Sequence, residues 1–548
     1  MSDHLAITIG PIYKFMQEAK KTRELWSISF TFSRLMKHLI DTFSEKAKLL
    51  APDKNVEQPM HGAGVFPDRC YFELPAGLLT ENEIGQLKEH AFAAFSNETG
   101  IRNGITAYQV NIVQTSADSN PVSRLNSLLD ALELQQPHHP ASMMNWSEYW
   151  MPPAYGRFFS GLYDIAYAKE DILPVLVAAK SALINRFPSI PEISTNELAR
   201  KYPERYWDIL GYQVLDTDRK NGLYFSKLEA KKQREPLDED DPIIQAIKDG
   251  FKDEFLTRHK YFSVVQADGD NVGRLISEIE RSGGKLTNLS AALNSFAKKA
   301  AELLVIYGGF PVYIGGDDLL FFAPLADNTV QDRFSVSVPE LDGAWGNVWG
   351  TNLFFLLTRL NELFKAVLKP ETDKYPGLPA VSLSFGVMSG YYKQPLSEVQ
   401  KASFELLKYK AKKQPGKNHI AMKVEKHSGE TFRLNFCQSE PLYACFLHLC
   451  HSVENKELKF LNSVMYKLDD QKEILALIGA KKARLEIFFR ENFNEAGHDQ
   501  HKQFFQWLTE FIVTLFKNYP ALSIEEKVEK IYSALRFVHF INAKDVND

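Results

Sequence analysis

The feature that most constrains this chain is a pair of acidic turns, Asp268-Gly269-Asp270-Asn271 and Gly315-Gly316-Asp317-Asp318, each set among apolar, β-rich runs. Residues 262–267 lead into the first turn. Residues 312–314 and 319–322 flank the second, so these two runs read as a hairpin with a four-residue connection. Helical spacing fills the interval, at residues 272–279 and 289–306. A further strand is expected at residues 380–387, followed by a helix with a basic end at residues 396–412. The succession β-α-β-β-α-β is that of a ferredoxin-like core, in which the first strand and the hairpin lie side by side. Asp268 and Asp317 are therefore expected to converge, although they are far apart in sequence.

Two close carboxylates can hold one or two Mg²⁺ ions, which prefer one or two carboxylates together with phosphate oxygens and water. Ions so placed would activate a ribose hydroxyl and stabilise a leaving pyrophosphate, so the reaction class implied is phosphoryl or nucleotidyl transfer. Gly269, Gly315 and Gly316 permit tight turns and let a triphosphate come close to backbone N–H groups. Either turn alone is also ordinary hairpin chemistry; both together, in this order, point to a metal site. A third element is the basic segment 408–418. Lys408 and Lys412 are i, i+4 neighbours whose ammonium groups either face a polyphosphate or sit at a solvated helix end, where the dipole favours cations. Lys417 follows Gly416 in the same segment. Ser384, on the preceding strand, faces either the nucleotide or the core.

At 548 residues the chain is long enough for three to four domains at roughly 150 residues each. Residues 1–115 read as a first α/β unit and 116–260 as a mainly helical middle. Residues 261–426 hold the acidic turns, and 427–548 read as a C-terminal helical bundle. In the first unit a strand at residues 5–9 precedes a helical pattern through Phe15, Ala19, Trp26, Phe30 and Ser33, with strands at 70–74 and 107–113. In the middle, residues 172–184 read as helix, and Pro and His interrupt at 137–140. The acidic run at 238–241 reads as a solvated linker. Helices are expected at 442–453, 473–493 and 503–516.

Hydrophobic residues are 45% and charged residues 24% of the chain, as in ordinary soluble globular proteins. The net charge of −5 argues against wrapping nucleic acid over the whole surface and leaves room for local basic grooves. The longest apolar stretches, 303–316 and 504–516, are too short to span a bilayer. No secretory signal opens the sequence, so a cytoplasmic, membrane-free protein is expected. Cys70, Cys437, Cys445 and Cys450 form no C-x₂-C knuckle and read as core thiols, although His448 and His451 lie near the last two.

With these motifs in hand, the sequence resembles the large polymerase/cyclase-like subunit of type III CRISPR–Cas effector complexes, most closely the type III-B kind. The resemblance is carried by Ile9-Gly10-Pro11-Ile12-Tyr13-Lys14-Phe15 and by Ala19-Lys20-Lys21-Thr22-Arg23-Glu24-Leu25-Trp26. It is carried further on by Ala267-Asp268-Gly269-Asp270-Asn271-Val272-Gly273, by the Gly-Gly-Asp-Asp turn and by Gly416-Lys417-Asn418. It implies an α+β multidomain fold with two ferredoxin-like palm domains, a helical middle domain and a C-terminal helical bundle.

The resemblance also implies function. Assembled with CRISPR RNA and other effector subunits, the second palm would respond to target RNA by joining ATP into a cyclic oligoadenylate messenger. Asp268, Asp317 and Asp318 would hold Mg²⁺ or Mn²⁺; Gly269, Gly315, Gly316, Ser384, Lys408, Lys412 and Lys417 would bind the nucleotide. The first palm, lacking such a turn, would form one wall of the pocket, with Lys20, Lys21 and Arg23 facing it, binding RNA or lying on a solvated face. The C-terminal bundle would dock a small subunit. Relatives often carry an N-terminal HD nuclease and zinc cysteines between the palms. Here the first palm motif starts within ten residues of Met1, His498-Asp499 is the sole His-Asp pair, and residues 116–260 hold no cysteine, so DNA cleavage is not expected. Alternatives are adenylation of S-adenosylmethionine to a conjugate, a catalytically silent scaffold, and a stand-alone nucleotide cyclase.

Overall fold

A computed structural model describes residues 3–10, 12–17, 19–53, 62–75, 77–101, 109–116, 121–135, 188–210, 212–214, 225–227, 240–329, 334–339, 345–453, 460–493 and 501–545. The helix expected at 172–184, the interruption at 137–140, His498-Asp499, Asp238 and Glu239 lie outside the described residues.

Strand β1 (Asp3–Gly10) is buried on both faces, with Leu5, Ile7 and Ile9 on one and His4, Ala6 and Thr8 on the other. By the two-residue period of a strand, Leu5, Ile7 and Ile9 enter a core with Trp26 and Phe30, while Ala6 packs on Leu125 and Leu129 of the helix Pro121–Gln135. With β2 (Lys48–Ala51), β3 (Arg69–Leu74) and β4 (Gln109–Thr115) it forms an antiparallel sheet in the order β2-β3-β1-β4. The helical pattern expected from Phe15 to Ser33 is broken. A short helix, Ile12–Met16, stops, and the Glu24 carboxylate then accepts the N–H groups of Lys20 and Lys21, which starts a new helix, Thr22–Phe43.

The middle of the chain shows helices Ile190–Ser194, Asn196–Lys201, Pro203–Ile209 and Asp240–Phe251, and a small hairpin of β5 (Tyr212–Val214) and β6 (Phe225–Lys227). Asp240 and Asp241 are not linker residues: they form the first turn of the last of these helices, where the dipole favours anions. The Asp241 carboxylate also accepts a 2.7 Å bond from the Tyr392 hydroxyl and pairs with Lys393 at 2.9 Å, tying the helix to the second sheet.

That sheet contains β7 (Tyr261–Asp270), β8 (Phe310–Gly315), β9 (Asp318–Pro324), β12 (Ser382–Tyr391), β13 (His419–Glu425) and β14 (Thr431–Cys437), in the order β14-β13-β12-β7-β9-β8. A separate hairpin of β10 (Ser335–Pro339) and β11 (Trp345–Trp349) is inserted after β9. The segment β12-β7-β9-β8 is antiparallel throughout and has the ferredoxin-like order; β13 adds in parallel to β12. The first sheet repeats both that succession of elements and that order. The second sheet runs past the boundary expected at 426, because β14 pairs with β13 over residues 431–437.

Helices Leu286–Tyr307 and Leu353–Thr372 cover one face of this sheet, and the same core continues into Pro441–Ser452, Lys502–Asn518 and Ile524–Asn542. The helix expected at 473–493 is two, Lys472–Ile478 and Lys482–Asn492, parted at Gly479, where a Cβ would meet the Phe516 ring at 2.7 Å. On the other face, Phe262, Val264 and Phe322 share a core with Trp26 and Phe30 of the N-terminal unit. Gly64 covers the outer edge of β8: its N–H donates to Val312 O at 3.2 Å and its carbonyl accepts from Ile314 N–H at 2.8 Å. A Cβ at Gly64 would stand 3.0 Å from the Ser29 carbonyl oxygen, so glycine allows the close approach.

Cys445 and Cys450 are buried in the helix Pro441–Ser452, as expected of core thiols. His448 stacks on Trp507 and His451 meets the edge of Trp349. No helix among the described residues is long and apolar enough to cross a membrane.

Candidate active site

Asp268 and Asp270 lie two apart at the end of β7 and so share a side of the strand. One ammonium reaches both. Lys412 Nζ is 2.9 Å from Asp268 Oδ1, 3.0 Å from Asp270 Oδ1 and donates to the Gly269 carbonyl at 2.7 Å. Between the two carboxylates, Gly269 is glycine for a steric reason: a Cβ there would stand 2.4 Å from Asp317 Oδ2 and 2.7 Å from Asp317 Cβ. Asp317 thus rests directly on the Asp268 turn, and the convergence expected from the strand order is present.

The hairpin that delivers Asp317 is tighter than expected. Gly315 pairs with Asp318, so only Gly316 and Asp317 form the loop, and Asp318 begins β9. Gly316 has φ +70°, which a residue without Cβ adopts freely. The glycines were expected to make room for a triphosphate. At Gly315 the room belongs to Tyr313, whose hydroxyl would be 2.0 Å from a Cβ, and at Gly269 it belongs to Asp317; only Gly316 opens onto free space.

Crowding sets the electrostatics. Removal from water, then the Asp268 charge, pushes the Asp317 carboxyl up to about 6. Asp318 is exposed at the start of β9, so the upward push on its carboxyl, from its crowded surroundings and then from Asp317 and Asp268, is screened by solvent. Burial works against the Lys412 ammonium, but the Asp268 and Asp270 carboxylates outweigh it and raise its pKa. Several carboxylates gathered around one ammonium leave negative charge in excess, which a divalent cation relieves. No three His, Cys, Asp or Glu among the described residues make a ready-built cage. Hard carboxylate oxygens with open neighbouring positions nonetheless suit Mg²⁺, which keeps waters and substrate phosphates as ligands.

Beside the acidic turn lies a cavity of about 590 Å³, lined by Asp268, Gly269, Asn271, Arg274, Phe404, Lys408, Lys412 and Lys417 among others. Its size is that of a small-molecule site. Lys408, Lys412 and Lys417 all line this cavity, but not by i, i+4 spacing. The helix expected over 396–412 becomes a π-turn at Leu407–Ala411, with Lys412 N–H bonded to Leu407 O, five residues back. Lys408 lies over the Phe404 and Tyr409 rings at 5.5 and 5.6 Å from their centroids. Arg274, on the first turn of the helix Val272–Arg281, is a fourth cation that the motifs did not single out.

Ser384 is not among the residues that line the cavity. It is fully buried under the turn, and its hydroxyl donates to Asp270 Oδ2 at 2.8 Å, beside Ser382 at 2.7 Å and Asn418 N–H at 2.9 Å. Register dictates this, since Ser382 pairs with Asp270 and Ser384 with Asp268 across β12 and β7. Asp270 is the residue that the sequence reading passed over. Fully buried, it ties the acidic turn to the Lys417-Asn418 turn, whose residues have φ +54° and +57°. Asn418 itself bonds Asn361 and Gln438. Lys20 and Lys21 are exposed at the start of the helix Thr22–Phe43.

A ferredoxin-like sheet with carboxylates converging at a strand end and hairpin tip, beside a cationic cavity, defines a palm domain of the polymerase and cyclase type. Residues 261–421 match the family described as "Cas10/Cmr2, second palm domain", and residues 4–99 match "CRISPR-associated protein Cmr2, N-terminal". Through these two stretches the chain belongs to the Cas10/Cmr2 family. It is 31% identical over 122 residues to the CRISPR system CMR subunit Cmr2 of Saccharolobus solfataricus, covering 22% of this chain and 10% of that protein. To the Cmr2 subunit of Pyrococcus furiosus it is 24% identical over 197 residues, covering 32% of this chain and 19% of that one. The alignments thus span a fifth or less of these curated relatives. Among solved structures, type III-B Cmr-beta bound to cognate target RNA matches with TM-score 0.51 and 13% identity, over 90% of this chain and 78% of that one. Its apo state matches with TM-score 0.53 and 13% identity, over 99% and 82%. These last two likenesses concern the fold.

Proposed function

We propose that this chain is a subunit of a type III-B CRISPR RNA-guided effector complex that, on binding target RNA, converts ATP into a cyclic oligoadenylate by nucleotidyl transfer. The observation that carries the reading is Asp317 seated on Gly269, which brings the second acidic turn against the first, whose Asp268 and Gly269 line a cationic cavity. Arg274, Lys408 and Lys417 supply positive charge for a triphosphate, and Phe404 an apolar surface beside it. The 3′-hydroxyl of one ATP attacks the α-phosphate of another; the new P–O bond forms as the bond to pyrophosphate breaks, and the hydroxyl proton is lost to solvent. Asp268, Asp317 and Asp318 would hold Mg²⁺ or Mn²⁺, which when bound lowers the pKa of the hydroxyl and stabilises the departing charge. The N-terminal unit serves as a non-catalytic palm. The C-terminal helices dock a small subunit.

The test is to incubate the complex reconstituted with guide RNA, with and without target RNA, with Mn²⁺ and labelled ATP, and to identify products by mass. Cyclic oligoadenylates formed only with target RNA are the expected result. A parallel sample with S-adenosylmethionine distinguishes a conjugate product. No ATP consumption under any of these conditions contradicts the reading.

A further inference from the structure

Lys412 occupies an unusual place for a lysine at a site read as cation-binding. Its ammonium collects three oxygens of a single turn, Asp268 Oδ1, Gly269 O and Asp270 Oδ1, all within 3.0 Å. That is a small cation held by hard oxygen donors. The placement depends on the π-turn at Leu407–Ala411: one extra residue in the turn rotates the residues C-terminal to it by about 100° relative to a continuous α-helix. Ala411 is buried, so the turn is fixed by packing, and Lys412 is only 16% exposed. A divalent ion at Asp268 and Asp317 must either take Asp268 Oδ1 from this ammonium or bind beside a positive charge a few ångströms away. Either way Lys412 opposes the metal.

The cavity offers the ammonium somewhere else to go. Arg274, Lys408 and Lys417 line it together with Lys412, and a polyphosphate placed among them presents several anionic oxygens. We propose that Lys412 is a built-in counter-cation: it keeps the acidic turn folded and its divalent-metal affinity low until a nucleotide polyphosphate draws the ammonium off Asp268. Metal and nucleotide then bind with positive coupling, and by linkage each raises the affinity of the other equally. The proposal rests on the reading of Asp268 and Asp317 as metal ligands.

The test measures Mn²⁺ binding to the full chain, from the electron paramagnetic resonance signal of free Mn²⁺, with and without α,β-methylene-ATP. Without nucleotide, Lys412→Met should bind Mn²⁺ at least about tenfold more tightly than wild type, since a screened like charge has gone. Lys412→Arg, which keeps the charge, should match wild type, and adding the nucleotide analogue should shrink the gap. Mere structural damage cannot raise metal affinity. Equal or weaker Mn²⁺ binding by Lys412→Met overturns the proposal. Should that variant be unfolded without metal, saturating Mn²⁺ must restore its thermal midpoint, and failure to do so overturns the proposal as well. Absence of Mn²⁺ binding by every form, nucleotide included, overturns the metal-site reading on which the proposal stands.

Discussion

The carboxylate of Asp317 lies over the α-carbon of Gly269, so close that a Cβ at 269 would stand 2.4 Å from Oδ2. The two acidic turns are therefore in mutual steric contact, and the smallest possible side chain at 269 displaces Asp317. Gly269→Ala should lower ATP turnover by about 100-fold, the usual cost of a misplacement near 1 Å at reacting groups. Steady-state kinetics on the assembled complex checks this; turnover within a factor of three of wild type contradicts it.

Asp270 and Ser384 should separate structure from binding. Asp270→Ala leaves Lys412 without one of its two carboxylate partners, and the Ser382 and Ser384 hydroxyls without their acceptor. Breaking a buried pair of this kind costs roughly 3–5 kcal/mol. Ser384→Ala removes one hydroxyl, costs about 1 kcal/mol and should leave the KM for ATP unchanged. Urea denaturation with parallel kinetics decides both, and a rise in KM for Ser384→Ala restores it to the nucleotide site.

Much of this was legible in the sequence, for reasons visible in particular residues. Phe262, Val265, Phe321 and Phe385 sit in strands that an apolar run announces, and the strand order follows from the succession of elements. Once that order is known, Asp268 and Asp317 must meet. Position on a face was not legible where it depends on exact register: Ser384 points under the turn because it pairs opposite Asp268, and Lys412 reaches Asp268 only through a π-turn that no local pattern encodes. Gly269 and Gly315 read as room for a ligand, when Asp317 takes up the room at the first and Tyr313 at the second. Asp270 looked like turn chemistry because its partners, Ser382 and Asn418, lie more than a hundred residues away.

The raised carboxyl of Asp317 fixes a pH dependence. Because its folded pKa, about 6, lies above the unfolded value, folding favours the protonated form. The stability it contributes without metal is present at about pH 4 and is lost as pH rises through about 6. Mg²⁺ needs the carboxylate, so the rise in thermal midpoint that Mg²⁺ produces should be larger at pH 7.5 than at pH 5. Thermal unfolding at the two pH values with and without Mg²⁺ measures this. The pH dependence of the Mg²⁺ effect should weaken in Asp317→Asn, where Asp318 still titrates, and an effect equal at both pH values in wild type argues against Asp317 as a ligand.

Lys417 lines the cavity from a turn held by Asp270 and makes no contact with the Asp268 carboxylate pair comparable to that of Lys412. Lys417→Ala should therefore weaken nucleotide binding by about tenfold, as loss of one charge-assisted phosphate contact does. It should leave Mn²⁺ affinity without nucleotide near wild type. Titration with a fluorescent ATP analogue, alongside Mn²⁺ binding, measures the two separately.

The central claim is that the converging aspartates of the second sheet carry nucleotidyl transfer. Its most direct measurement is pyrophosphate release from ATP by the guide-loaded complex after addition of target RNA, compared between wild type and Asp317→Ala/Asp318→Ala. The account predicts target-dependent release by the wild type and, in the double variant that still assembles, a fall of at least about a thousandfold. Undiminished release by that variant would contradict it.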